Sequence, residues 1–425
     1  MKKIIFSVLA VILLISTVSC SQTQMYAQEL KSGKKYDTSP EVSYSDMETL
    51  AKGNNEFALA LYRQLSAADD GNMFFSPYSL SVALAMTYAG AEGATREQMA
   101  KTLNFILEEE DLHAAFNNLA IELARRGESN QGKDEEGFRL NIINAIWGQI
   151  EYAFLDEYLD TLAVNYDAGL RLLDFTADPE ACRQAINDWV SQQTEGKIED
   201  LIKKGIISET TRLVLTNAIY FNAAWGIPFK TSSTADGTFY LPDGSTVTVP
   251  MMHQTENLNY AEGDSYQAVE LKYDGNELSM LIILPEDGNF EQFKATFDAE
   301  KLAAIIDEMR TANVTLTMPR FEYESQFSTK DALKAMGMTD AFEMTADFSG
   351  IDGTHDLFIE DVVHKAFVSV DEAGTEAAAA SAVIINVKGV MEQAEVTLDH
   401  SFIYLIRDIQ TNTILFIGSV VNPAE

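Results

Sequence analysis

The sequence predicts an α+β fold built as one large domain, and three observations carry that expectation. Helical spacing of apolar residues dominates the first half of the 425-residue chain, strand-like runs dominate the second, and neither repeat nor linker interrupts the chain after residue 45. Helices packed on large, mostly antiparallel sheets suit that order. With 46% hydrophobic residues and 10% aromatics, a large core is available.

The chain opens with Lys2 and Lys3, an apolar run over 4–15, and then Ser16-Thr17-Val18-Ser19-Cys20. Residues 1–20 have the layout of a secretory signal, too short for a membrane span with polar anchors at both ends. Cys20 directly after small residues resembles the lipobox of bacterial lipoproteins. The expectation is an exported lipoprotein anchored through Cys20, periplasmic or exposed at the cell surface. Plain secretion is the alternative, because Thr17 stands where that motif usually has Leu. Residues 21–44 are polar and read as a flexible tether, and residues 45–425 as the folded domain.

Helical spacing runs over 47–65, with Leu50, Phe57, Leu61 and Leu65 on one face. A second helix over 79–88 is announced by Ser76-Pro77 and is almost wholly apolar, which implies burial on every side. Further helices are expected over 96–107, 112–125, 157–165 and 179–194. Strands are expected over 140–147, 213–221, 238–241, 266–271, 278–284, 313–319, 358–363, 364–370, 401–407 and 414–420.

Sixty-five acidic against thirty basic residues give a net charge of -35 and a pI near 4.4. Phosphate neutralisation needs clustered Lys and Arg, so nucleic acid is excluded as a general partner. The acidity reads first as solubility. Only Cys20 and Cys182 could form a disulfide, and acylation of Cys20 would remove that option. Cys182 reads as a small buried residue.

The segment 374–381 has almost no side chains: Gly374, Thr375, Glu376, Ala377, Ala378, Ala379, Ala380 and Ser381. It follows the alternating run 364–370 and precedes an apolar run that ends at Lys388-Gly389. Small residues can enter a packed sheet without conflict, and a lone Lys before Gly offers an exposed, cleavable bond. Together they suggest a bait loop able to become a strand. The same Thr-Glu-Ala-Ala-Ala-Ala stretch is also a good helix start.

Read with its flank from His364 to Ala373, this segment resembles the reactive-loop hinge of the serpins. Asn72-Met73-Phe74-Phe75-Ser76-Pro77-Tyr78-Ser79-Leu80 resembles their shutter segment. Asn217-Ala218-Ile219-Tyr220-Phe221 with Trp225 and Pro228-Phe229 resembles the central strand and breach. Ala346-Asp347-Phe348-Ser349-Gly350-Ile351, Asp399-His400-Ser401-Phe402, Leu405-Ile406-Arg407-Asp408 and Gly418-Ser419-Val420-Val421-Asn422-Pro423 complete the series in family order. The likeness covers roughly 45–425. Departures are Asn222-Ala223 where Lys-Gly is usual, Ser401 for Pro and Ala373 for a second Glu.

The resemblance implies the serpin fold with an exposed reactive-centre loop at about 372–394. It also implies irreversible inhibition by a suicide-substrate route, with cleavage, acyl-enzyme trapping and loop insertion into the central sheet. The scissile bond would be Lys388–Gly389, fourteen positions after Gly374, and Lys388 would suit trypsin-like serine proteases. A shift of one residue would present Val387 to elastase-like enzymes. Glu372 and Arg320 match a breach ion pair beside Trp225, and Ser76, Asn187 and His364 match a hydrogen-bonded shutter cluster. In an inserted strand Thr375, Ala377, Ala379 and Ser381 would share the core face and Glu376 would face solvent.

The expected partner is a target serine protease held covalently, with no cofactor, metal or nucleic acid. The membrane would be reached only through Cys20, and the chain is expected to act as a monomer. The alternative is a non-inhibitory serpin serving as a surface binding or chaperone-like module, whose hinge would usually carry bulky, charged or proline residues. A hydrolase is disfavoured: Gly-x-Ser-x-Gly, His-Glu-x-x-His, Cys-x-x-Cys and the full phosphate-binding loop Gly-x-x-x-x-Gly-Lys-Ser/Thr are all missing, and the five His are scattered. The segment 112–133 offers Arg125, Arg126 and Lys133 among acids, which gives glycosaminoglycans no basic face.

Overall fold

The computed structural model describes residues 27–126, 139–194, 196–375 and 392–425. In chain order these form β1 (Gln28–Leu30), α1 (Tyr44–Ser66), β2 (Met73–Phe75), α2 (Pro77–Tyr88), α3 (Gly93–Leu103), α4 (Glu109–Ala124), β3 (Arg139–Gln149), α5 (Asp156–Tyr166), β4 (Leu170–Leu173) and α6 (Pro179–Gln193). Then follow β5 (Leu213–Ala224), β6 (Ala235–Tyr240), β7 (Thr246–Gly263), β8 (Tyr266–Lys272), β9 (Leu278–Pro285), α7 (Phe290–Thr296), α8 (Ala299–Glu308), β10 (Arg310–Pro319) and β11 (Phe321–Ser328). The chain ends with α9 (Lys330–Met336), α10 (Ser349–Asp352), β12 (Val362–Val370), β13 (Gly374–Thr375), β14 (Gln393–Thr397), β15 (Phe402–Asp408) and β16 (Ile414–Val420).

Two sheets organise these elements. The seven-stranded sheet has the order β1-β4-β3-β5-β13-β12-β11, and the nine-stranded sheet runs β14-β10-β7-β8-β9-β15-β16-β2 with β6 on β7. Between them lies the main core, into which α1 and α2 are sunk. Helix α2 starts where it should: the Ser76 hydroxyl accepts from the Ser79 N–H and Pro77 fills the first turn. Eleven of its twelve residues are buried, as its uniform apolarity predicts. A smaller core of Trp147, Cys182, Ile186, Val190, Ile202 and Ala218 lies under α6 on the other face of the seven-stranded sheet. There burial first, and then Asp174 and Asp178, push the Cys182 thiol up to about 12, consistent with an inert small residue.

Two sequence expectations need correction. Residues 358–361 are not a strand: the Asp361 side chain accepts from the Val362 N–H and the Ser328 hydroxyl, and β12 begins only at Val362. The supposed tether over 21–44 is, from residue 27, part of the fold. Gln28–Leu30 pairs antiparallel with β4, Lys31 bridges Asp167 at 2.5 Å, and the Asp37 N–H donates to the Val164 carbonyl at 2.9 Å. Polar composition hides this because the contacts are made by backbone and charge, not by an apolar stripe.

Candidate functional site

The seven-stranded sheet is open at one end of its centre. Strands β5 and β12 pair in parallel over five positions, from Leu215 against Val362 to Ile219 against Ala366. Above that they diverge, and β13 occupies the gap, antiparallel to both: Gly374 lies opposite Ala224, and Thr375 lies opposite Ala223 and Val370. The turn that makes this possible is local. The Asp371 carboxylate accepts from the Ala373 N–H at 2.7 Å and the Gly374 N–H at 3.2 Å.

Gly374 is required by space. A Cβ there would stand 2.2 Å from the Ala223 carbonyl oxygen and 2.7 Å from the Ala224 Cα. Thr375 is buried at 1% exposure, and its hydroxyl meets the Tyr273 hydroxyl at 2.8 Å. Tyr273 in turn stacks on Trp225, centroids 4.7 Å apart and planes 11° from parallel. Trp225 ties the turn down twice: its indole N–H donates to the Asp371 carbonyl at 2.9 Å and its backbone N–H to the Ala373 carbonyl at 2.8 Å.

The Glu372 side chain accepts from both Arg320 and the Thr234 hydroxyl. Burial opposes its ionisation, but these hydrogen bonds, a backbone N–H and the Arg320 charge hold its carboxyl below the usual range. The pair therefore fixes the turn to β10–β11 and to the segment before β6.

Lower in the sheet, a polar cluster fastens β5 to β12 and to α2. The Asn217 carbonyl oxygen faces His364 Nδ1 at 2.5 Å, while its amide donates to Ser79 Oγ at 2.5 Å and Asn144 Oδ1 at 2.6 Å. His364 Nε2 accepts from the Ser76 N–H at 3.2 Å, so the proton sits on Nδ1 and is donated to Asn217. The Ser76 hydroxyl donates to the Leu415 carbonyl at 2.7 Å, reaching the second sheet. Complete burial pushes the His364 pKa down from 6.5 to about 3.

The profile described as Serpin (serine protease inhibitor) matches residues 52–423. An uncharacterised serpin-like protein of Thermococcus kodakarensis is 40% identical over 400 residues, covering 92% of this chain and 91% of that relative. The chain is a serpin. Leukocyte elastase inhibitor of Xenopus laevis is 39% identical over 386 residues, spanning 89% of this serpin and 100% of that protein. The fold matches a crystal structure of the thermophilic serpin tengpin in the native state, with TM-score 0.81, 30% identity, and 94% and 100% of the two chains covered.

Of the residues expected at the breach, Arg320 pairs with Glu372, and Trp225 holds the adjoining Asp371 carbonyl. Of the expected shutter residues, Ser76 and His364 meet but Asn187 does not. Asn187 lies on α6, where its side chain brackets Ile202 by donating to the carbonyl at 3.0 Å and accepting from the N–H at 2.8 Å. Asn217 is the amide that meets His364 and Ser79 instead. Its signal was present, a lone amide inside the apolar strand Leu-Val-Leu-Thr-Asn-Ala-Ile, and burial of such a group demands partners. Tyr273 and Thr234 went unnoticed because nothing local marks them. Glu376, Ala377, Ala378, Ala379, Ala380, Ser381, Val387, Lys388, Gly389 and Cys20 lie outside the described residues.

Proposed function

We propose that this serpin is an irreversible protease inhibitor whose bait loop, cut at Lys388–Gly389, is drawn into the seven-stranded sheet behind Thr375. The observation that carries the reading is β13. The first two hinge residues already occupy the position of an inserted strand, hydrogen-bonded on both sides, above a seam of only five paired positions. Continuing the same register sets Ser381 opposite both His364 and Asn217, the groups that lock the seam. Insertion would then replace the β5–β12 pairing with two new ladders and leave no core-facing group larger than Thr375 before residue 382.

In the proposed reaction the protease serine attacks the Lys388 carbonyl and expels the Gly389 amine, leaving an ester. The inserted strand, about 14 residues at ~3.3 Å each, spans ~46 Å and carries the protease with it. Distortion of the oxyanion hole and base then stalls hydrolysis of the ester. Lys388 suits trypsin-like targets and Val387 elastase-like ones. The names of the leukocyte elastase inhibitor relatives support a serine-protease partner. The same reading takes the protein as exported by residues 1–20 and held at a membrane through lipid on Cys20, with plain secretion as its alternative.

Mixing with trypsin should give a complex that survives denaturation, and mass analysis of the released C-terminal fragment should begin at Gly389. Thr375→Arg should convert inhibitor to substrate, lowering complex yield at least tenfold while cleavage continues. Simple cleavage by every protease tried, with no complex from the unaltered protein, would favour the non-inhibitory alternative.

A further inference from the structure

The register of the seven-stranded sheet fixes which end of the molecule its N-terminus leaves from. The hinge enters beside Ala224 at one end of β5, whose other end is Leu213. Gly148 of β3 lies opposite Leu213, Leu173 of β4 lies beside Gln149, and Gln28 of β1 lies opposite Leu172. The chain therefore leaves β1 toward its N-terminus at the end of the sheet remote from the hinge. Ala27 packs there against the small core that also contains Ile202 and Ile207.

We propose that this remote pole is the face the protein turns toward a lipid surface, so that the bait loop points away from it. The proposal rests on the reading of Cys20 as an anchor. Cys20 is seven positions before Ala27, so the connection spans at most about 25 Å. A free tether from Cys20 to residue 44 would have spanned about 85 Å and imposed no orientation. Strand β1 and the Lys31–Asp167 bridge remove that freedom.

The surface at this pole fits the assignment. Gly205 takes φ +92° with nothing within 4 Å of its Cβ position, and the turn around it projects Lys203, Lys204 and Ile206 outward. Among the described residues Ile206 is one of six exposed large apolar side chains, at 38%. The turn belongs to the pole because the Gln149 N–H donates to the Arg212 carbonyl and the Thr176 hydroxyl to the Glu209 carbonyl. Asp174, Asp178, Glu180 and Glu209 also lie at this end, Glu180 within the field of Lys204, and Asp200 is 3.9 Å from Arg183, so the cationic character is confined to Lys203 and Lys204. Elsewhere a chain of net charge -35 is repelled by anionic headgroups, while each Lys at the surface favours contact about fivefold.

The test uses vesicles of neutral or anionic lipid with brominated acyl chains, which quench tryptophan on contact. The protein is examined as extracted from membranes, and also as the chain from Cys20 onward coupled through that thiol to a maleimide lipid. Ile206→Trp reports the remote pole, and Ser232→Trp, beside the Thr234–Glu372 contact, reports the hinge end. In the coupled form Ile206→Trp should be quenched at least threefold more than Ser232→Trp, and Lys203→Glu with Lys204→Glu should halve that quenching on anionic vesicles. Equal or reversed quenching would overturn the orientation. The mass of the extracted N-terminus reads the anchor separately: lipid on Cys20 with reversed quenching sinks the orientation alone, and an unmodified Cys20 sinks the anchor while the coupled form still decides the orientation.

Discussion

His364 is buried where neither nitrogen can accept a second proton without loss. Nε2 takes the Ser76 N–H and Nδ1 gives its proton to Asn217, so protonation would set two N–H groups against each other. Burial puts its folded pKa near 3, against 6.5 in the unfolded chain. Between those values the unfolded state binds a proton that the native state refuses, so native stability is complete above pH 6.5 and falls as the pH drops toward 3. From pH 7 to pH 5 this one group should remove about 2 kcal/mol. Urea unfolding at the two pH values should show that loss in the unaltered protein and a smaller one in His364→Gln, measured as the change in midpoint. An equal acid sensitivity in both would place the effect elsewhere. The cluster's make-up was half legible: Ser76 precedes a helix-starting Pro and His364 alternates within a strand, but no spacing decides whether Asn187 or Asn217 reaches them, since that depends on which face of the sheet each element covers.

Elements with strong periodicity were readable, and those held by long-range pairing were not. The apolar face of α1 and the β-branched runs of β5, β9 and β16 declare themselves within a dozen residues. Strand β7 escaped because one face is polar: His253, Thr255 and Asn257 alternate with Met252, Gln254 and Leu258, and Pro250 interrupts the run. Strand β1 escaped because three residues carry no period at all, and its partner lies some 140 positions away. Its fit to β4 depends on Gly169, where a Cβ would stand 2.5 Å from the Leu30 carbonyl oxygen and 3.0 Å from the Lys31 Cβ. Gly169→Val should therefore lever the arm from the sheet, at a cost of about 1–3 kcal/mol. Hydrogen exchange over 28–37 should quicken by at least tenfold while α1 and β16 keep their protection. Unchanged exchange in the arm would mean that β1 is not held by that contact.

At the scale of the whole molecule, the described state leaves favourable pairing unmade. The seam between β5 and β12 is closed by five parallel positions, and β13, described over Gly374 and Thr375, stands above it between the same two strands. The motif order made this architecture readable, because the motifs expected as hinge, breach, shutter and central strand all fall on or beside β5, β12 and β13 of the seven-stranded sheet. The entry of Gly374 and Thr375 into the gap was not readable, since it depends on the Asp371 turn and on Trp225 holding it. Cutting the bait loop frees its N-terminal side to complete the strand. About 14 residues would then gain neighbours on both sides, at ~1 kcal/mol for each net hydrogen bond. For a domain of this size each kcal/mol raises the melting temperature by about 1–2 °C, extrapolating the trend with chain length. Limited cleavage by a protease that is not trapped should therefore raise the melting temperature by roughly 15–30 °C, with both fragments still associated. Thr375→Arg should show a rise less than half as large, because an arginine cannot take the buried place beside Tyr273 from which the strand is extended. A cut protein that melts where the intact one does would mean that the gap above the seam is not a place for the loop, and the inhibitory reading would fall with it.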